Sequence, residues 1–175
     1  MVDRSSVIGG GIIGSAVPVV LAVLGVLIAN LPLSLFGGLL PSPLLALMPI
    51  YFWALVRPDL MPPIAAFGIG VLEDLFSGGP PGIWAAAFVV SYVLVDRERD
   101  TFAGLSGMGA ILGFAAAMGA AAATAYAIVA VYYWRLPPLA LLLVEVASTV
   151  LLYIPGAAFL NWVHRRFVGA ARSEP

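Results

Sequence analysis

Ser5 to Val56 reads SSVIGGGIIGSAVPVVLAVLGVLIANLPLSLFGGLLPSPLLALMPIYFWALV, 52 residues without one Asp, Glu, Lys or Arg. No water-soluble fold hides an uncharged run of that length. Outward from it the rest of the chain has the same character. Of 175 residues, 62% are hydrophobic and 10% charged, with a mean hydropathy of +1.08, whereas a soluble domain is roughly a quarter charged. With no cysteine, a disulfide scaffold is excluded. The absence of lysine removes P-loop and Schiff-base chemistry, and the single histidine, His164, removes any multi-histidine metal site. A net charge of -1 leaves no nucleic-acid footprint. The expected fold class is an all-α integral membrane protein.

A helical span needs about 20 mostly apolar residues. The first runs from about 7 to 31, too long for a signal-peptide core and without a small-x-small cleavage site. Pro32, Gly37, Gly38, Pro41 and Pro43 mark an apolar connection. A second span is predicted over about 40–56, closed by Arg57-Pro58-Asp59, and a third over 60–76. Ser77-Gly78-Gly79-Pro80-Pro81-Gly82 is a strong turn signal. A fourth span covers 83–95, stopped by Asp96-Arg97-Glu98-Arg99-Asp100. A fifth covers 104–134, and a sixth, after Arg135 and Pro137-Pro138, covers 139–163. Residues 1–167 thus form one six-helix membrane domain with a short cytoplasmic tail, 168–175.

Six transmembrane helices put both termini on one side, and the positive-inside rule selects the cytoplasm. Arg4, Arg57, Arg97, Arg99, Arg165, Arg166 and Arg172 then fall inside, and Arg135 outside. Aromatic clusters sit beside arginine at the expected interfaces: Tyr51-Phe52-Trp53, Tyr132-Tyr133-Trp134 and Trp162.

Three acids, Glu73, Asp74 and Glu145, fall inside spans. Ionisable groups in a bilayer cost at least a few kcal/mol and usually face a partner, a cavity or the bundle interior. Counting along a helix from Arg57 puts Asp74 roughly 25 Å away, close to the outer surface, and Glu145 roughly 12 Å inward from it. Arg135 is the one fixed cation in that half. Neighbouring helical residues point about 100° apart, so Glu73 and Asp74 do not share a face. Asp74 lies on a stripe with Gly70 and Gly78, where small residues let another helix backbone approach the carboxylate. Its expected role is a helix cap or intramembrane hydrogen bond fixing the outer turn, ahead of a partner contact. Glu73 aligns with Ile69 and Phe76, and for Glu145 a contact inside the bundle is expected.

Gly9-Gly10-Gly11-Ile12-Ile13-Gly14 satisfies G-x-G-x-x-G, but it follows no strand and has no acid about 20 positions later, so it is read as helix packing. Gly109 and Gly113 form a G-x-x-x-G continued by Ala116, Ala117, Gly119 and Ala120, which predicts close packing on a neighbouring helix. No catalytic set assembles: the histidine is on the opposite side from the membrane acids. No enzyme activity, cofactor or metal is expected.

Tyr51-Phe52-Trp53-Ala54-Leu55 with Arg57-Pro58, followed by Gly70-Val71-Leu72-Glu73-Asp74-Leu75-Phe76-Ser77-Gly78 and Pro81-Gly82, resembles the MreD family of bacterial rod shape-determining proteins. Gly70, Asp74, Gly78 and Gly82 occupy the places of that family's G-x-x-x-D-x-x-x-G-x-x-x-G-like stretch. The motif covers about 35 residues, and Glu73 and the double proline depart from it. The resemblance implies a non-enzymatic multi-pass subunit of the cell-wall elongation complex in the bacterial cytoplasmic (inner) membrane. It implies as partners MreC, the RodA glycosyltransferase, its class B penicillin-binding transpeptidase and MreB filaments, besides membrane lipid. It also implies a fold related to the substrate-binding subunits of energy-coupling-factor vitamin transporters. On that alternative, Asp74, Glu145 and Arg135 would supply the charges of an outward-facing pocket.

Overall fold

The structure, a computed structural model, describes residues 4–31, 41–103 and 108–168, with side chains over 14–31, 41–101 and 108–168. Among these the chain is all-helical, with no strand. The elements are α1 (Arg4–Ala29), α2 (Leu47–Val56), α3 (Pro63–Ser77), α4 (Ile83–Arg97), α5 (Arg99–Ala103), α6 (Met108–Tyr133) and α7 (Leu139–Val163), with a π-helical turn over His164–Val168. The connection expected around Pro32, Gly37 and Gly38, the start of the fifth span at 104, and the tail with Arg172 lie outside the described residues, as do the side chains of the first glycine cluster before Gly14.

Prolines set the helix boundaries. Within the expected second span, about 40–56, the helix occupies Leu47–Val56. Pro41 and Pro43 lack the N–H a helix interior needs, and each disfavours helical backbone at the residue before it. In the third span, Leu60 and Met61 donate back to the carbonyls of Arg57 and Pro58 at 3.0 and 3.3 Å. The helix begins at Pro63, after an extended Pro62, because a proline at the first helical position gives up only an N–H that had no partner. Asp74 is therefore only 11 residues, about 16 Å, into its helix rather than the 25 Å counted from Arg57. α4 continues through Asp96 to Arg97, two residues past the expected stop.

α2 lies in the middle of the bundle, in contact with α1, α4, α5, α6 and α7. Trp53 and Ala54 are 0% exposed and Tyr51 1%. Phe114 and Tyr153 stack at 3.9 Å, and Tyr51 meets both rings edge-on at 5.4 and 5.7 Å. The Tyr51 hydroxyl donates to the Ala110 carbonyl at 3.3 Å. α7 buries only Thr149, Tyr153, Leu160 and Val163, a single stripe, and turns Leu143, Leu151, Ile154 and Phe159 outward. Among the described residues, two helices are long and apolar enough to cross a membrane, Met108–Tyr133 and Leu139–Val168.

Antiparallel packing sorts the turns to two ends. One end carries the C-terminus of α1, the segment 41–43 and the α3–α4 and α6–α7 turns, which line shared cavities. The other carries the ends of α2 and α7, where Phe52 and His164 meet at 6.1 Å. There Arg99 donates to the Ala54 carbonyl at 3.4 Å.

Candidate functional site: the acid-bearing end of the bundle

The α3–α4 hairpin is built around Asp74. Its Oδ2 accepts the backbone N–H groups of Gly82 at 2.9 Å and Ala85 at 3.2 Å, and its Oδ1 accepts that of Trp84 at 2.8 Å. The first amides of a helix have no partner within it and form its positive pole. α4 has no side-chain cap at Gly82, so a carboxylate from the preceding helix takes that place. Gly70, one turn before Asp74, allows the approach: a Cβ there would sit 2.5 Å from the Ala85 Cα and 2.6 Å from the Trp84 carbonyl oxygen.

Gly78 and Gly82 serve differently from the packing stripe expected of Gly78. With φ of 67° and 96° they hold left-handed backbone that ends α3 and starts α4, and a Cβ at either would meet nothing within 4 Å. The hairpin thus brings Gly70, Asp74, Gly78 and Gly82 together, with both Asp74 oxygens engaged inside the chain.

Glu73 and Asp74 are both buried, at 5% and 8% exposure, despite pointing apart, because α3 lies between α1 and α4. Phe76, expected to align with Glu73, is 52% exposed. Asn30, at the end of α1, donates its Nδ2 to Glu73 Oε1 at 2.8 Å and to the Val26 carbonyl at 2.9 Å. Glu73 Oε2 is buried and has no hydrogen-bond partner among the described residues. Glu73 and Glu145 line one cavity of about 220 Å³, together with Asn30, Ser42, Ser77 and Trp84. The half-buried Glu145 carboxylate makes no hydrogen bond or ion pair among the described residues. Its backbone carbonyl accepts the Thr149 hydroxyl at 2.7 Å, and the Thr149 Oγ1 in turn accepts the Leu44 N–H at 3.0 Å.

A second, mostly apolar cavity of about 430 Å³ runs from Tyr133, Pro137 and Pro138 to Glu145, and shares Ser77 and Trp84 with the first. Tyr126 lines it and donates its hydroxyl to the Pro137 carbonyl at 3.3 Å.

Arg135 is exposed and pairs with none of Glu73, Asp74 and Glu145. The Asp74–Glu145–Arg135 grouping is therefore not assembled. The ion pair among the described residues is Arg57–Asp59 at 2.8 Å. Hydrogen bonding between them lowers the Asp59 carboxyl pKa below its usual value and raises that of Arg57. On α6, Gly113 is buried and Gly109 half-buried. The buried stripe continues through Ala117 and Ala121, and the Ser91 hydroxyl of α4 donates to the Ala117 carbonyl at 2.7 Å. Ala116 and Gly119, expected on that stripe, are exposed.

Away from this end, α1 and α7 flank two apolar depressions of about 330 and 660 Å³ that meet at Leu21 and Phe159. Among the described residues no three His, Cys, Asp or Glu side chains gather in a way that could hold a metal ion. Sequence reasoning missed Asn30, Ser42 and Trp84. An amide inside an uncharged run was the available signal for Asn30, since a buried polar group needs a partner. No family model, curated protein or solved structure matches the chain.

Proposed function

We propose that this chain is a six-span subunit of the bacterial cytoplasmic membrane, with both termini in the cytoplasm. In this reading it is a non-enzymatic scaffold of the cell-wall elongation complex, as its resemblance to MreD implies. It docks the single transmembrane helix of an MreC-type partner, and through it positions RodA, its transpeptidase and MreB. The observation carrying the docking step is the apolar channel between α1 and α7. Its two depressions extend from Ala16 to Ile28 along α1, about 18 Å of helix. Val20, Leu24, Ile28, Phe159 and Trp162 border it, each between 44% and 54% exposed. Between helices in lipid, shape and close packing select a partner, and such a channel offers both. The Asp74 motif is engaged in its own hairpin, so docking is assigned to this face instead.

The proposed topology draws support from charge. Arg57, Arg97, Arg99, Arg165 and Arg166 gather at one end and Arg135 at the other, which fits the positive-inside rule. α2, at 10 residues, is about 15 Å long and does not cross a hydrocarbon core of roughly 30 Å by itself. The non-helical segment 41–46 completes that crossing. Backbone of this kind is tolerated at membrane depth where protein covers it, and Leu44 and Ala46 are buried.

A photo-crosslinker at Leu24 or Phe159 in native membranes is the test. Capture of a single-span elongation-complex protein is expected, with no capture from Leu143 on the opposite part of α7. An energy-coupling ATPase module captured instead would favour the alternative, a substrate-binding transporter subunit, which the cavity beside Glu73 and Glu145 recommends.

A further inference from the structure

The two joined cavities have a polarity that selects an occupant. The smaller one is lined by the acids Glu73 and Glu145 with Asn30, Ser42 and Ser77, and Pro41 and Pro43 contribute no N–H. Among the described residues neither Arg nor His lines either cavity. Asn30 satisfies one Glu73 oxygen, while Oε2 remains buried without a partner among the described residues, and a buried acceptor left unpaired is costly. Among the described residues no three His, Cys, Asp or Glu side chains gather at this cavity in a way that could hold a metal ion. The larger cavity is mostly apolar and has aromatic walls, with Ser77, Trp84 and Glu145 common to both.

We propose that this compartment binds a small organic ammonium ion, its charged nitrogen between Glu73 and Glu145 and its apolar body along Trp84 and Tyr126. Aromatic faces attract such cations, and the carboxylates supply charge-assisted hydrogen bonds. The occupant is a free amine rather than a bilayer lipid. A lipid keeps its charged head at the helix ends and its apolar part deeper. Here the apolar cavity reaches the α6–α7 turn through Tyr133, Pro137 and Pro138, and Glu145 lies six residues, about 9 Å, past the start of α7. The compartment is distinct from the α1–α7 channel, so this inference does not depend on the scaffold reading.

Calorimetry on the full chain in detergent micelles tests it, with phenethylammonium as the probe and phenethyl alcohol as its uncharged counterpart. Saturable binding of the ammonium alone is expected. Glu145→Gln is expected to weaken it at least about tenfold, the factor for one lost charge-assisted hydrogen bond. Glu145→Gln also serves where Glu73→Gln fails to fold, because the Glu145 carboxylate holds no other element in place. Equal binding of the alcohol, undiminished binding by Glu145→Gln, or no saturable binding at millimolar probe overturns the proposal. Displacement by sodium but not by equimolar choline would reassign the cavity to a metal cation, and overturn it likewise.

Discussion

α2 buries seven of its ten residues, whereas α7 buries four of its twenty-five. Both are nearly pure apolar sequence, so hydropathy does not distinguish them. Their neighbours do. α2 is enclosed by other helices and carries its aromatic residues into the centre. α7 touches the bundle along one stripe and presents leucine, isoleucine and phenylalanine elsewhere. A helix that is hydrophobic all round belongs either in a protein core or in a membrane; α2 takes the first place, and α7 is long and apolar enough for the second. The difference teaches that one apolar composition can be enclosed by protein or turned largely outward, with different tolerance to substitution.

The sharpest way to break the comparison is Trp53→Ala. Removing a ring that is 0% exposed is expected to cost about 3–5 kcal/mol in reversible unfolding from micelles. Leu151→Ala, 66% exposed, is expected to stay within about 0.5 kcal/mol. Equal costs would erase the distinction. Next in size is Leu151→Arg. Leu151 is the midpoint of α7, where arginine costs about 2.5–3.5 kcal/mol on insertion scales, and a glycosylation-tagged insertion assay reads it. Unimpaired insertion would remove lipid as the surrounding of that face.

Asp74→Ala is expected to destabilise by about 2–3 kcal/mol, through the amides of Gly82, Trp84 and Ala85 left without their acceptor. Hydrogen exchange would show the first turn of α4 opening before its middle, and Asp74→Asn would restore part of the protection. Gly70→Ala is expected to cost about 1–3 kcal/mol, because backbone rather than a flexible side chain must give way. Crossed with Asp74→Ala, it should be non-additive, since both act on the same contact.

The smallest effect belongs to Asp59. Its folded carboxyl is more acidic than the unfolded one, so its contribution is present at neutral pH and fades as pH falls through the folded value. The side chain is 56% exposed, and exposed pairs contribute little. Asp59→Asn should therefore leave the unfolding midpoint at pH 7 almost unmoved, and flatten any acid-side slope slightly.

The helical segments and the α3–α4 turn were legible because proline, glycine and charge punctuate them locally. A bonding role for Asp74 was also readable, since an acid in an apolar helix needs donors. The identity of those donors was less so. A glycine at regular spacing has the same appearance whether it admits a neighbour, as Gly70 does, or reverses the chain, as Gly78 does. Only the following Gly-Pro-Pro-Gly separates the two. The shortness of α2 hangs on Pro41 and Pro43, two residues inside a run whose hydropathy is otherwise continuous. Asn30 with Glu73, 43 residues apart, and Glu145 beside the same cavity follow from tertiary packing, for which no local periodicity speaks.

The Leu44 amide bonded to Thr149, 105 residues later, bears on how the protein is made. Translation at about 5–20 residues per second delivers Thr149 about 5–20 s after Leu44. For that interval the nascent chain holds its most apolar short helix with one flank unsealed and an amide awaiting its acceptor. The last long helix is therefore the closing piece of assembly, and a ribosome that stops short of it leaves that amide without its acceptor.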